Sequence, residues 1–215
     1  MNKTGVLNYS DWDNSHIPEI LLEIYLQKIY HPYLSGRDGI FLDLGLNIGL
    51  WSLFASKYAK QVYAFEPTKE TYDIAVKNIK DNGITNVKAF QKAIAPTDGK
   101  VTFYHSSNST MNSMIPLVND NKVTEEVETM SLETLIKQEK IDHINFIKCD
   151  IEGSEDKLFT SESFKNVAPI IDTMVYESHS WNNTNPNILN FGLINLGFKT
   201  IRKLPCQADV YACSK

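Results

Sequence analysis

A short apolar run that ends in a glycine turn and passes straight into a helix-spaced segment constrains this chain more than any other stretch. Gly39, Ile40, Phe41, Leu42, Asp43 and Leu44 read as a buried strand, and Gly45-Leu46-Asn47-Ile48-Gly49 as the turn after it. Leu50, Leu53, Phe54 and Tyr58 then recur at helical spacing, which predicts a helix over 48–60. A second strand is expected over 61–66, closed by Pro67. Thr68 starts a helix that Asn82-Gly83 stops, and a third strand follows over 87–90. This β-α-β-α-β order is the pattern of a doubly wound, mainly parallel sheet with right-handed crossovers.

The pattern loosens and then resumes. A short extra strand is expected over 100–104 after the Asp98-Gly99 turn, and another over 126–129. Between them, residues 105–124 are rich in Ser, Asn, Thr and Met, with the weak periodicity of a long loop; His105, Ser109 and Ser113 there could belong to a lid, with Met111 and Met114 lining it. Ser131 caps a helix over 132–139, and a strand at 144–149 leads into a helical stretch near 155–159. Another strand is expected over 170–176, a helix over 186–196 ending at Gly197, and a terminal antiparallel hairpin from 198–202 and 209–213. Upstream, Ile17, Ile20, Leu21 and Ile24 mark an amphipathic helix over 17–30. The domain reading is a helical cap over 1–37 and one catalytic-sized domain over 38–215.

Composition removes several function classes. An apolar fraction of 42% suits an ordinary globular core rather than a disordered or fibrous chain. The balance of 21 basic against 26 acidic residues, with no dense Lys/Arg run, argues against a nucleic-acid partner. No stretch approaches the roughly 18 apolar residues of a membrane span, and the polar start lacks the apolar core of a signal peptide. Three cysteines without a CxxC pair fit a reducing compartment, so a cytoplasmic protein is expected.

The turn after the first strand carries the cofactor reading. Gly45 and Gly49 allow a tight turn and close approach of backbone amides to a ligand at the strand ends. A dinucleotide loop needs glycine where this chain has Asn47 and again where it has Leu50. Asp43 favours a ligand bearing ammonium and sulfonium charges over one bearing phosphates. Glu66, 23 positions after Asp43, ends the second strand where a carboxylate can accept both ribose hydroxyls. These features point to S-adenosylmethionine (SAM) rather than NAD.

Three segments in this order resemble the FkbM family of methyltransferases: Asp43-Leu44-Gly45-Leu46-Asn47-Ile48-Gly49, Phe65-Glu66-Pro67, and Lys148-Cys149-Asp150-Ile151-Glu152-Gly153-Ser154-Glu155. The stretches around Ala93-Ile94, Asp98-Gly99 and Ser131-Leu132-Glu133 are similar to further family landmarks. The resemblance implies a Rossmann-like class I methyltransferase fold: an α/β, seven-stranded, mainly parallel sheet with a C-terminal antiparallel hairpin. It implies methyl transfer from SAM to oxygen of a small molecule or saccharide. It adds Pro67, Ala93 and Asp150 to the cofactor-binding set.

The other strand ends supply the reactive groups. Asp150 and Glu152 follow one strand, and Glu177 and His179 follow the next, so neighbouring strands would gather all four beside the cofactor. His179 is the expected general base, because an unperturbed imidazole titrates near neutral pH. The same four residues are an oxygen-rich set with one imidazole, suited to Mg²⁺ or Mn²⁺. Trp181 is a candidate acceptor wall, Trp12 and Trp51 are candidate core aromatics, and Cys149 is read as a buried small hydrophobe. A peptide or carboxylate methyltransferase and a non-catalytic SAM- or nucleoside-binding module stand open as alternatives.

Overall fold

The structure, a computed structural model, describes residues 21–22, 24, 28–34, 38–106, 112–116, 123–179, 185–206 and 208–215. Ile17, Ile20, Trp12, Ser109, Met111, Trp181 and most of the expected N-terminal helix lie outside the described residues. Ile24, Ile29, Tyr30 and Leu34 are described and buried, packed in one cluster with Trp51 and Phe146.

Seven strands form the main sheet: β1 (Gly39–Leu44), β2 (Ala59–Phe65), β3 (Val87–Phe90), β7 (Ile144–Cys149), β8 (Ile171–Glu177), β9 (Thr200–Lys203) and β10 (Val210–Ser214). Their order across the sheet is β3-β2-β1-β7-β8-β10-β9. β1 pairs in parallel with both β2 and β7, and β10 runs antiparallel to β8 and β9, which is the expected terminal hairpin. The chain leaves β1 toward one side of the sheet and returns to its other side at β7. The loops after these two strands therefore meet at a switch point, where open α/β sheets bind ligands. The helices are α1 (Leu50–Ala55), α2 (Lys69–Asp81), α3 (Leu132–Glu139), α4 (Glu155–Thr160), α5 (Glu162–Val167) and α6 (Pro186–Asn195).

The central strands β1 and β7 are buried because they are mostly apolar, as a sheet covered on both faces requires. Phe41, Leu42, Leu44, Phe146 and Ile147 have no exposed surface. The indole of Trp51 stacks on Phe146 at 5.6 Å and meets Tyr30 edge-on at 5.8 Å, so its expected place in the core holds. Cys149 is fully buried, again as expected.

One expectation needs correcting, and the two extra strands prove to form a sheet of their own. The helix predicted over 48–60 is limited to Leu50–Ala55, and β2 already begins at Ala59. The cause is remote in sequence: the Asn86 amide donates to the carbonyls of both Ser56 and Ala59, at 2.8 and 2.9 Å, and fixes the chain in a turn there. The two extra strands do not extend the main sheet. β5 (Gly99–His105) and β6 (Val123–Met130) pair antiparallel, and β6 pairs in parallel with the two-residue β4 (Ala93–Ile94), making a separate three-stranded sheet. β6 is twice as long as the strand expected over 126–129, because its register with β5 runs unbroken from Val123 to Thr129.

Candidate active site

The turn after β1 is held by its neighbours rather than by its own sequence alone. Gly45, Asn47 and Gly49 all have positive φ, at 93°, 50° and 91°. The N–H groups of Gly45 and Leu46 both donate to the Phe65 carbonyl at the end of β2, at 3.2 and 2.8 Å. At Gly45 a Cβ would stand 1.8 Å from the Asp150 carbonyl oxygen, so this glycine is demanded by the close approach of the β7 end. Gly49 caps α1, and a Cβ there would meet Ala75 at an ordinary 3.5 Å; only its backbone angle asks for glycine.

A buried cation ties the turn to the next strand. Lys148 lies beside Asp43 in the β1–β7 register. Its ammonium donates to the Gly45 carbonyl at 2.7 Å and stands 3.3 Å from Asp150 and 3.6 Å from Asp43. Asp43 has no exposed surface and accepts the Ser52 hydroxyl at 2.6 Å. Burial lifts its pKa to about 6, against the opposing pull of Lys148 and Ser52. Burial lowers the Lys148 pKa, but Asp150 and Asp43 reverse this and leave it above its usual value. Asp43, expected in the cofactor set, is outside the cleft lining and has its carboxylate 3.6 Å from the Lys148 ammonium. Sequence reasoning gave Lys148 no role, although a lysine inside an apolar strand between two acidic strand ends was a usable signal.

The cleft above the turn is lined by Gly45, Asn47, Glu66, Pro67, Ala93 and Asp150, all expected in the cofactor set, and encloses about 620 Å³ of open space, its mouth included. Gly49 is outside the lining. Glu66 is 8% exposed, and both its oxygens are fixed: Oε2 accepts the Asn47 N–H at 3.1 Å and Oε1 the Thr68 N–H at 3.0 Å. Burial raises its pKa to about 7, against those two hydrogen bonds and Lys148. Each carboxylate oxygen retains a second lone pair for a ligand hydroxyl. Thr71, Lys92, Phe103 and Ile151 were not foreseen in this lining.

Part of the long loop also reaches the cleft. Asn112 and Met114 line it, and Ser113, 1% exposed, donates its hydroxyl to the Glu152 carbonyl. His105 is instead beside Glu125 at 3.2 Å, outside the lining.

On the other side of Asp150 lies an acidic cluster around one imidazole. Glu155, fully buried, accepts the N–H groups of Ile151 and Gly153 at 3.1 and 3.3 Å and shapes the turn that aims Glu152. The same oxygen pairs with His179 Nδ1 at 3.0 Å. His179 Nε2 then stands 3.3 Å from Glu152, 3.7 Å from Glu177 and 3.8 Å from Asp150. The four residues predicted to converge do so, and Asp150 and Glu152 belong to both cleft and cluster. Glu155, read only as a motif position, organises the set.

The electrostatics alter the expected roles. Burial alone would lower the His179 pKa, but the Glu155 hydrogen bond and the charges of Glu152, Glu155 and Asp150 carry it to about 10. His179 is thus an imidazolium at neutral pH and holds a proton where a base must take one. Burial also raises Glu152 well above the usual carboxylate range, with help from Asp150, Glu177 and Glu155. Burial would raise Asp150 too, but Lys148 and His179 bring it below its usual value.

Comparison with known proteins agrees with this architecture. A family model described as the methyltransferase FkbM domain matches residues 43–200. A relative from Beauveria bassiana, named Methyltransferase 1, is 25% identical over 154 residues, which cover 62% of this chain and 62% of the relative's own length. Among solved structures, a protein described as a methyltransferase from Streptococcus mutans, in complex with SAH, superposes with a TM-score of 0.54 at 12% identity, covering 88% of this chain and 97% of that one. An rRNA methylase from Streptococcus thermophilus superposes at 0.53 and 12% identity, covering 89% and 95%. At these identities the structural likeness establishes the fold.

Two predictions follow from the turn. Gly45→Ala should cost more than about 3 kcal/mol of stability by urea unfolding, because backbone must move, whereas Gly49→Ala should cost about 1–2 kcal/mol from φ alone. Equal costs would refute the Asp150 contact as the reason for Gly45. Lys148→Met should cost about 3–5 kcal/mol by stranding buried Asp43, and adding Asp43→Asn should recover most of it; no recovery would show that the pair is not coupled.

Proposed function

The chain belongs to the FkbM methyltransferase family, and from that premise we propose that it transfers a methyl group from SAM to a hydroxyl oxygen of a small metabolite or saccharide. The observation that carries the cofactor half is Glu66, whose carboxylate is pinned by two backbone N–H groups at the floor of the cleft with lone pairs left for a ribose diol. Asn47 and Asp150 in the lining agree with a ligand lacking phosphates. Methyl transfer is an in-line displacement, so the chain's part is to align the acceptor oxygen and receive its proton.

For the acceptor, the support is the sign of the charge beside the cleft. Glu66, Asp150 and Glu152 line it, with Asp150 held ionised by Lys148 and His179 and Lys92 the cation of the lining, an arrangement that suits hydroxyl donors. We assign proton acceptance to Glu152. Asp150 is paired with Lys148, Glu155 holds turn N–H groups, Glu177 is outside the lining, and His179 is already protonated. His179 then positions the Glu152 carboxylate. No helix among the described residues is long and apolar enough to cross a membrane.

A divalent cation, Mg²⁺ or Mn²⁺, is a second reading favoured by one observation. Donor atoms of Asp150, Glu152 and His179 lie within 4.8 Å of one another, and the Glu155 contact to Nδ1 leaves Nε2 toward the carboxylates, as a metal-ligating histidine requires. A bound cation would supply Lewis-acid polarisation of the acceptor hydroxyl. Electron paramagnetic titration with Mn²⁺ decides it. Binding that disappears in Glu152→Gln supports the metal; no binding removes it and leaves the imidazolium as the cluster's resident cation.

Calorimetric titration of SAH tests the cofactor reading. Binding in the micromolar range is expected, with NADH failing to compete and Glu66→Ala weakening it at least about tenfold, the loss of roughly 1.4 kcal/mol. Because the folded pKa of Glu66 is raised to about 7 from 4.5, its contribution to apo stability is present below pH 4.5 and is lost as pH rises through 7. Ribose hydroxyls favour the ionised form, so SAH affinity should climb between pH 5.5 and 8, and this climb should flatten in Glu66→Gln. A wild-type profile as flat as the variant's would count against Glu66 as the ribose ligand.

A further inference from the structure

A second pocket adjoins the cofactor cleft, and the methyl-transfer reading makes no use of it. It lies between the three-stranded sheet and the start of α4, with Thr97, Val101 and Thr129 on one side and Ser154 and Lys157 on the other. Ile94 and Met114 line both spaces, so the two are neighbours with shared walls.

Ser154 is the informative residue. It is 2% exposed, lines the pocket, and its hydroxyl has no hydrogen-bond partner among the described residues. A serine just ahead of a helix ordinarily accepts an N–H of the first turn. Here the Asp156 carboxylate takes the Lys157 N–H at 2.7 Å, and the Ser154 side chain makes no such bond. A buried hydroxyl left without a partner is costly and uncommon, which points to a ligand that completes it.

The charge at the rim selects the ligand. Lys100 is committed to Glu126 at 2.6 Å. Lys157 is exposed, and its ammonium has no carboxylate partner among the described residues. One uncommitted ammonium and one unpaired hydroxyl match a single negative charge. The apolar wall of Ala95, Pro96, Val101 and Met114 matches a short carbon chain. We propose that this pocket binds a small aliphatic carboxylate, whose oxygens accept the Ser154 hydroxyl and pair with the Lys157 ammonium. A phosphate dianion is less well matched, since it would need donors and cations that the lining lacks. The inference does not depend on the identity of the methyl acceptor.

Methionine-methyl NMR on the full chain tests it, because the chain has five methionines and Met114 reports on both spaces. Butyrate is expected to shift the Met114 methyl saturably, while equal concentrations of chloride and inorganic phosphate leave it in place. Lys157→Glu and Ser154→Val should each weaken the butyrate response at least about tenfold; the first changes an exposed residue, so folding is preserved. The proposal is overturned if butyrate leaves Met114 unmoved, if phosphate or chloride acts equally, or if both variants bind as before. SAH provides the separate control. A Met114 shift with SAH and none with butyrate sinks this pocket and spares the cofactor reading, and the reverse result does the opposite.

Discussion

The site depends on one buried ammonium. Lys148 sits where β1 and β7 lie side by side, and it touches the carbonyl of the cofactor turn, the carboxylate beneath that turn, and the first carboxylate of the acidic cluster. Removing a lysine from water is expensive, and only close negative partners offset it. The fold supplies those partners from two strands at once. The turn cannot drift from β7 without exposing Lys148's unpaired charge to an apolar interior. Its carbonyl also cannot be replaced, because Gly45 is the residue that allows the Asp150 backbone to come so near. Electrostatics and backbone sterics thus fix the same junction.

A second junction repeats the device with opposite sign. Glu155 is a buried carboxylate whose partners are two turn N–H groups and the imidazole of His179. It joins the turn after β7 to the end of β8, as Lys148 joins the turn after β1 to the end of β7. Three consecutive strand ends are therefore linked by one buried cation and one buried anion. Asp150 and Glu152 stand between the two links, with their positions determined from both sides.

Much of this was legible in the sequence, and the parts that were not share a cause. The strands around Phe41 and Phe146 announce themselves through unbroken apolar runs, and the convergence of Asp150, Glu152, Glu177 and His179 follows from strand adjacency alone. What failed depended on partners distant in sequence. The helix after Gly49 is cut short by Asn86, whose amide arrives from the far end of α2. The ion pair of Asp43 with Lys148 was not read because the two are 105 residues apart. The three-stranded sheet was missed because β4, at two residues, is too short for any periodicity to show. His179 was given an ordinary imidazole's behaviour, which holds only when the surrounding carboxylates are left out of account.

Charge balance bears on the direction of the proposed reaction. Asp43, Asp150, Glu152, Glu155 and Glu177 are gathered about two cations, Lys148 and His179. Among the described residues these carboxylates outnumber the two cations, and burial first, with neighbouring carboxylates adding to it, raises the pKa values of Asp43 and Glu152. SAM carries a sulfonium into such surroundings, and SAH leaves without it. Excess negative charge beside the cleft holds the donor more tightly than the product, because the attraction vanishes when the methyl group departs. The buried acidic arrangement thus favours donor over product.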